Sequence, residues 1–310
     1  MSELDLIREF LEDPQVTDVL LDGHVSLMVE RVGVLEKASN PFDDEAGVEH
    51  WARALLGNNG SRLDIAKPVS EVSINSEYGL LRIHAVLGGE CSKRTQVSIR
   101  RHSLAALTLR DLANKSAITE EQHELLLQIS RSRENFVVIG GTGSGKTTLL
   151  NAMLGEVSQE RVITIEDAAE LSLEGNSVAL ITRSGNHEGI GEIGLGQLVR
   201  EALRMRPDRI VVGEARGEEL LLLLQAMNTG HSGSGFTLHA NSIEDVWPRM
   251  LAILVGTGAT SEFSRLLVSS ALSWVPSFKC TLLGNSSAET KWQKSSYRYR
   301  EVQNSKCLTH

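Results

Sequence analysis

The feature that most constrains this chain is a glycine-rich segment that follows a short apolar run. Residues 136–139 are an unbroken apolar run of the kind found in buried strands. They lead directly into Gly140-Gly141-Thr142-Gly143-Ser144-Gly145-Lys146-Thr147-Thr148. This segment fits the pattern Gly-x-x-x-x-Gly-Lys-Thr, which requires a strand before it and a helix after it. The chain must therefore place a strand, a tight turn and a helix N-terminus in direct succession.

The glycine-rich segment has the chemistry of a phosphate-binding loop. Glycines allow several backbone N–H groups to turn toward one anion at a helix N-terminus. Lys146 would then reach the β and γ phosphates, and the Thr147 hydroxyl would complete the coordination of a Mg²⁺ ion. The segment thus predicts a bound nucleotide with Thr147 as the metal ligand. The expected nucleotide contacts are Gly141, Thr142, Gly143, Ser144, Gly145, Lys146, Thr147 and Thr148.

After Thr119, strand-like apolar runs alternate with helical runs. Thr119 and Gln122 form a capping-box pattern that begins a helix. This alternation predicts a mostly parallel sheet with helices on both faces. The strand runs are 136–140, 162–165, 178–181 and 210–212, and the helical runs are 146–154, 197–203 and 218–227.

The pattern before Arg101 is mixed. Helical spacing at the N-terminus ends before Pro14, and strand-like runs then flank turn signals such as Asp22-Gly23-His24. Such a mixture indicates a smaller α+β domain. We expect this N-terminal domain at 1–101, a linker at 102–117, a P-loop domain at 118–283 and a polar C-terminal tail at 284–310.

Composition narrows the possible classes. Hydrophobic residues make up 41% and charged residues 23% of the 310 residues, as in soluble globular proteins of two domains. The net charge of −9 opposes sequence-independent binding to nucleic acid. The apolar runs are far shorter than the roughly 20 residues that span a bilayer, and the acidic N-terminus lacks a signal-peptide pattern. We expect a cytoplasmic protein that binds no nucleic acid.

Two carboxylates end apolar strand runs in the second half. Glu166 follows the run 162–165, and Glu214 follows the run 210–213. Because the carboxyl ends of parallel strands line one edge of a sheet, both side chains are expected near the phosphates. Hydrolysis needs groups that position water and neutralise the transferred charge, which a P-loop alone does not supply. For either residue taken alone, a solvated loop carboxylate is the alternative.

Further motifs follow the P-loop in order along the chain. Thr164-Ile165-Glu166-Asp167 looks like an Asp box, and Val211-Val212-Gly213-Glu214 looks like a variant Walker B motif. Thr229-Gly230-His231 and Thr237-Leu238-His239-Ala240-Asn241 look like a His box. Over residues 16–272 the sequence resembles the secretion-ATPase superfamily of type II and type IV secretion and pilus motors. The resemblance implies a RecA-like P-loop domain after a PAS-like domain, and a Mg²⁺-dependent ATPase.

The resemblance also implies roles for individual residues. Glu214 would orient or activate the attacking water, and Glu166 would help to organise Mg²⁺ and water. His231 and His239 would sense or contact the phosphate end of ATP. Arg82 and Arg100 would complete the site from the N-terminal domain and stabilise charge on the transferred phosphoryl group.

Within the superfamily, residues 203–209, Asn186-His187-Glu188-Gly189 and Arg183 look most like the tight-adherence (Tad/Flp) pilus ATPases. This resemblance implies a homohexameric ring that drives pilus assembly through an inner-membrane platform protein, and reaches the membrane only through partners. One alternative is a conjugation or type IV secretion ATPase. Others are a P-loop kinase or nucleotide switch and, less favoured by the net charge, a DNA-translocating helicase.

Overall fold

The computed structural model describes residues 3–31, 33–102, 107–141, 143–183 and 191–272. The chain divides into two compact units, with the main division between residues 104 and 105. Thr142, the segment 186–189 and the expected tail at 284–310 lie outside the described residues.

The first unit is built on a six-stranded antiparallel sheet in the order β3-β2-β1-β6-β5-β4. A 3-10 helix (Glu3–Ile7) and the helices α1 (Arg8–Glu12) and α2 (Glu45–Asn58) accompany it. The strands are β1 (Val16–Asp22), β2 (Ser26–Arg31), β3 (Val34–Ala38), β4 (Val69–Ser76), β5 (Gly79–Val86) and β6 (Gln96–His102).

The core of this unit lies on one face of the sheet. Alternate strand residues such as Leu81 and Ile83 are buried with Trp51 and Leu55 of α2, as expected for an antiparallel sheet with one covered face. The turn predicted at Asp22-Gly23-His24 joins β1 to β2, and Gly23 there has a φ of +51°. A side chain rarely adopts this backbone conformation, so the turn favours glycine.

The second unit contains a five-stranded parallel sheet in the order β7-β11-β10-β8-β9. The strands are β7 (Phe136–Gly140), β8 (Val162–Glu166), β9 (Ser177–Ile181), β10 (Arg209–Val212) and β11 (Gly235–His239). The helices are α3 (Leu109–Asn114), α4 (Glu120–Arg131), α5 (Lys146–Gly155), α6 (Leu195–Ala202), α7 (Glu218–Asn228), α8 (Val246–Gly256) and α9 (Ser261–Ala271).

Helices cover both faces of the parallel sheet. Val137 and Ile139 of β7 pack in one core with residues of α6 to α9. Phe136 and Val138, which point to the opposite face, pack in a second core with residues of α3 to α5. Strands buried on both faces read as unbroken apolar runs, which is why the sequence revealed them. The expected fold class, an α/β unit with a parallel sheet after a smaller α+β unit, is confirmed.

The segment expected to be a linker contains ordered structure. Thr108 and Asp111 form a reciprocal capping box that begins α3, and Leu109 and Leu112 are buried in the core of the second unit. The helix α3 is short, and it ends at Asn114, shortly before α4 begins at Glu120. Polar residues surround its few apolar positions, so the sequence pattern did not reveal a helix here. In the part of the chain that the structure describes, the helices are too short or too polar to cross a bilayer.

Candidate active site

Four strands of the second unit end at one edge of the sheet with polar or glycine-rich segments. Because β7, β8, β10 and β11 are parallel, their carboxyl ends share this edge. The P-loop follows β7, Glu166 ends β8, Glu214 follows β10, and His239 ends β11. The fold therefore brings together residues that lie far apart in the sequence, as is usual for ligand sites of parallel α/β sheets.

The P-loop has the backbone conformation that its glycines permit. Gly143 and Gly145 have φ values of +69° and +87°, and Gly145 precedes the first turn of α5. A Cβ atom added at Gly141 or Gly143 would meet no described atom within 4 Å. The loop thus combines a left-handed backbone with open space at a helix N-terminus, the arrangement that accepts phosphate oxygens.

Lys146 lies in the first turn of α5, and its Nζ atom donates a hydrogen bond to the Gly141 carbonyl over 2.8 Å. Burial lowers the pKa of Lys146, and the nearby charges of Glu214 and Glu170 act in the opposite direction. The ammonium group is thus held over the loop, within the field of two carboxylates. It is placed to exchange a carbonyl partner for a phosphate oxygen.

Two hydroxyl groups test whether this loop fits a nucleotide with Mg²⁺. Ser144 Oγ is buried and has no hydrogen-bond partner among the described residues, as expected where a ligand supplies the partner. Thr147 Oγ1 lies 3.2 Å from Glu170 Oε2 and donates to it. A hydroxyl and a carboxylate are oxygen ligands of the kind that Mg²⁺ prefers. The residues present fit the expected ligands.

Glu166 is buried at the end of β8, with 4% of its surface exposed. Its carboxylate accepts hydrogen bonds from the backbone N–H groups of Glu170 and Leu171. Burial raises the pKa of Glu166 to about 7, against the effect of the Leu171 N–H group and with a further contribution from the charge of Glu170. The Glu166 carboxylate therefore holds the segment that follows β8, and its raised pKa brings its titration close to neutral pH.

Glu214 follows β10 and is part of an ionic chain. Its Oε2 atom accepts a hydrogen bond from Arg216 Nη2 over 3.0 Å, and the same guanidinium lies 3.5 Å from Asp167 Oδ2. About a third of the Glu214 side chain is exposed. The carboxylate is thus accessible from solvent and held at the edge where the P-loop lies.

The structure places the two histidines of the His box at different edges of the sheet. His239 ends β11 opposite Gly140, beside the P-loop. His231 precedes β11 and lies at the amino-terminal edge, where its carbonyl accepts a hydrogen bond from Ser234 Oγ. Within this unit β11 separates the two histidines. The expectation that both contact the phosphate end of ATP stays a prediction.

The two candidate arginines lie side by side on the sheet of the first unit. Arg82 of β5 pairs directly with Arg100 of β6, which in turn pairs with Asp18 of β1. Arg100 Nε donates a hydrogen bond to Asp18 Oδ1 over 2.9 Å. Like charges directly opposite each other are unfavourable in a sheet, and Asp18 offsets one of them.

Three residues at the site edge were missed by sequence reasoning: Glu170, Arg216 and Glu219. Glu170 is four residues after Glu166, and Arg216 is two residues after Glu214. Their proximity to the motifs was the available signal. The sequence did not reveal that Glu170 accepts a hydrogen bond from Thr147. It also did not reveal that Glu219 accepts hydrogen bonds from the N–H groups of residues 216 and 217.

Comparisons with known proteins match most of the chain. The family model described as "Type II/IV secretion system protein" matches residues 82–310. A putative conjugal transfer protein of Mycobacterium tuberculosis is 42% identical over 272 residues, which is 86% of this chain and 76% of the relative. The conjugal transfer protein TrbB of Rhizobium radiobacter is 33% identical over 240 residues, which is 75% of this chain and 70% of the relative.

Among solved structures, the pilus retraction motor PilT with bound ADP is similar in fold. The TM-score is 0.64 at 22% sequence identity, and the match covers 89% of this chain and 78% of PilT. At this identity the likeness concerns the fold alone.

Proposed function

Because the chain belongs to the type II/IV secretion system protein family, we propose that it is an ATP-hydrolysing motor of a conjugation or type IV secretion system. The observation that carries this proposal is the convergence of the P-loop, Glu166, Glu170 and Glu214 on one edge of the parallel sheet. A phosphate cradle with carboxylates beside it has the parts for binding a nucleoside triphosphate and positioning water.

Each residue of the site has a distinct part in this proposal. The backbone N–H groups of the P-loop and Lys146 bind the β and γ phosphates. Glu214 orients the attacking water, since its carboxylate is accessible and lies near Lys146. Thr147 would hold Mg²⁺ with Glu170 beside it, and Mg²⁺ supplies neutralisation of phosphate charge when bound. Glu166 holds the segment that carries Glu170 through its backbone hydrogen bonds.

The relatives favour conjugal transfer over pilus assembly. Two relatives at 42% and 33% identity are named for conjugal transfer, whereas the sequence motifs had favoured a tight-adherence pilus motor. The tight-adherence assignment rests on residues 203–209, on Arg183 and on the segment 186–189, the last of which lies outside the described residues. We therefore propose a conjugation or type IV secretion ATPase rather than a tight-adherence pilus motor.

The higher-order assembly also remains a proposal. We infer a homohexameric ring that works on the cytoplasmic side of a membrane secretion complex, where ATP is available. Arg82 and Arg100 would stabilise the transferred phosphoryl group from the first unit. The two arginines are direct cross-strand neighbours, and this placement supports a role in binding an anion.

Separating nucleotide binding from turnover tests the enzymatic proposal. Lys146→Ala should lose affinity for ATP, whereas Glu214→Gln should bind ATP normally and lose turnover by at least about 100-fold. Glu201→Gln, at an exposed position, is the matched control and should behave as wild type. Turnover is measured as phosphate release with no acceptor substrate, which also distinguishes a motor from a kinase. Wild-type hydrolysis in Glu214→Gln would overturn the assignment.

A cellular experiment tests the biological system. Deletion of the gene in the source organism should abolish transfer of a mobile plasmid to a recipient, and the wild-type gene should restore it. Glu214→Gln should fail to restore transfer, while Glu201→Gln should succeed. Normal transfer with loss of surface pili would instead return the assignment to pilus assembly.

A further inference from the structure

Arg216 bridges the segments that follow two neighbouring strands. Its Nη2 atom lies 3.0 Å from Glu214 Oε2 and 3.5 Å from Asp167 Oδ2. Glu214 follows β10 and Asp167 follows β8, and these strands are hydrogen-bonded neighbours. One guanidinium group therefore connects the two carboxylates at the edge where the P-loop lies.

The backbone that carries Arg216 is fixed from two directions. Glu219, only 6% exposed, accepts hydrogen bonds from the N–H groups of Arg216 and Gly217. On the other side, the Ala215 N–H group donates to the Thr237 carbonyl over 3.0 Å, and Thr237 Oγ1 donates to the Gly213 carbonyl. These contacts limit where the guanidinium can reach.

Asp167, the second carboxylate that Arg216 contacts, is also fixed in position. Thr182 Oγ1 donates to Asp167 Oδ1 over 3.3 Å, so the two oxygens of Asp167 have different partners. In Glu214 the guanidinium engages Oε2, and the hydrogen bonds found among the described residues leave Oε1 available. A carboxylate with one oxygen fixed and the other open is suited to accept a hydrogen bond from water.

We propose that Arg216 is a positioning residue that orients Glu214 for the attacking water, with Asp167 as its second anchor. The inference rests on the proposed function, since it assigns Glu214 to the water. Arg216 acts through Glu214, which distinguishes it from Lys146 and from Arg82 and Arg100. A single Nη2 atom engages both carboxylates, and the rigid guanidinium plane fixes the directions of its N–H bonds. An ammonium group on a flexible stem would engage the carboxylates only as a point charge.

Substitution of Arg216 in the full chain tests this inference. Arg216→Ala should lower kcat by about 10- to 100-fold, with the KM for ATP and the affinity for a non-hydrolysable analogue unchanged. Arg216→Lys should restore part of kcat, since one charge can still pair with Glu214. Arg131→Ala removes another exposed arginine, which pairs with Glu156, and should leave kcat unchanged.

A double-mutant cycle ties the effect to Glu214. In the Glu214→Gln background, Arg216→Ala should cause little further loss of kcat, because its effect passes through that residue. Asp167→Asn should give a smaller loss that does not add to that of Arg216→Ala. If Arg216→Ala keeps wild-type kcat while Glu214→Gln is inactive, the inference fails and the proposed function stands. If Arg216→Ala lowers kcat and analogue affinity equally and Arg216→Lys does not recover either, the inference is likewise overturned.

Discussion

The hydroxyl of Thr147 donates a hydrogen bond to Glu170 Oε2, 3.2 Å away. This contact joins the first turn of α5 to the segment that follows β8, and thus connects the P-loop to the motif that contains Glu166. The same segment is held by the buried carboxylate of Glu166. Hydrogen bonds therefore connect the glycine-rich loop, the segment that follows β8 and the carboxylate of Glu170.

Removing the charge of Glu170 should weaken the use of Mg²⁺. In Glu170→Gln, the Mg²⁺ concentration that gives half-maximal turnover should rise by about 10-fold. The reason is that a carboxylate hydrogen-bonded to a metal ligand, here Thr147, increases the affinity of the site for the metal. The measurement is a Mg²⁺ titration of phosphate release at saturating nucleotide. Glu174→Gln, at an exposed position of the same segment, should show the wild-type midpoint. Identical midpoints for both variants would contradict the assignment of Glu170 to the proposed Mg²⁺ site.

The raised pKa of Glu166 predicts a pH-dependent contribution to stability. Burial raises this pKa from 4.5 in the unfolded chain to about 7 in the folded protein. Between these two pH values the folded protein still binds a proton that the unfolded chain has already released. The resulting destabilisation is absent below the unfolded pKa, grows as pH rises, and is complete above the folded pKa. It amounts to about 3 kcal/mol.

Glu166→Gln should remove this pH dependence. The free energy of unfolding of the variant, relative to wild type, should rise by up to about 3 kcal/mol between about pH 5 and pH 8. Urea unfolding at several pH values measures it. A flat difference for Glu166→Gln would mean that this carboxylate titrates as it does in the unfolded chain.

The local sequence was sufficient to predict much of the second unit. The run 136–140 predicts β7 because a strand buried on both faces is apolar throughout. The capping box of Thr119 and Gln122 is present as expected. The family resemblance based on ordered motifs is confirmed, whereas its tight-adherence branch is not supported by the two conjugal transfer relatives.

The placement of the two histidines and the partners of Glu170 and Arg216 could not be predicted from the sequence. They depend on the direction of a strand and on contacts between distant parts of the chain. His231 and His239 belong to one motif, but the strand between them carries them to opposite edges. Glu170 and Arg216 have ordinary polar surroundings in the sequence. Their partners Thr147 and Asp167 lie 23 and 49 residues away, beyond the reach of any local pattern.

A fully buried arginine provides a stability prediction away from the site edge. Arg209, 0% exposed, donates two hydrogen bonds of 2.9 Å to the carboxylate of Glu160. Glu160→Gln should lower the free energy of unfolding by about 3–5 kcal/mol, because it leaves a buried charge without its counterion. Urea unfolding measures the loss. Glu156→Gln disrupts the exposed pair with Arg131 and should cost less than about 1 kcal/mol; equal losses would contradict the prediction.

The close approach of Gly213 to Glu166 links packing to chemistry. A Cβ atom at Gly213 would lie 2.9 Å from Glu166 Cγ and 3.3 Å from its Oε1. The Gly213 backbone cannot retreat freely, because its N–H group donates to the Ile165 carbonyl and its own carbonyl accepts from Thr237. Glu166 must therefore move, and with it the segment that carries Glu170.

Gly213→Ala should lower turnover more than nucleotide affinity and should cost about 1–3 kcal/mol of stability through overpacking. Phosphate release, analogue binding and urea unfolding measure the three effects. Gly155→Ala is the matched control, since a Cβ atom there meets no described atom within 4 Å and the residue ends a helix. It should keep wild-type turnover. If Gly213→Ala lost stability but kept full turnover, the position of Glu166 would not matter for hydrolysis, and the buried carboxylate would have a structural role alone.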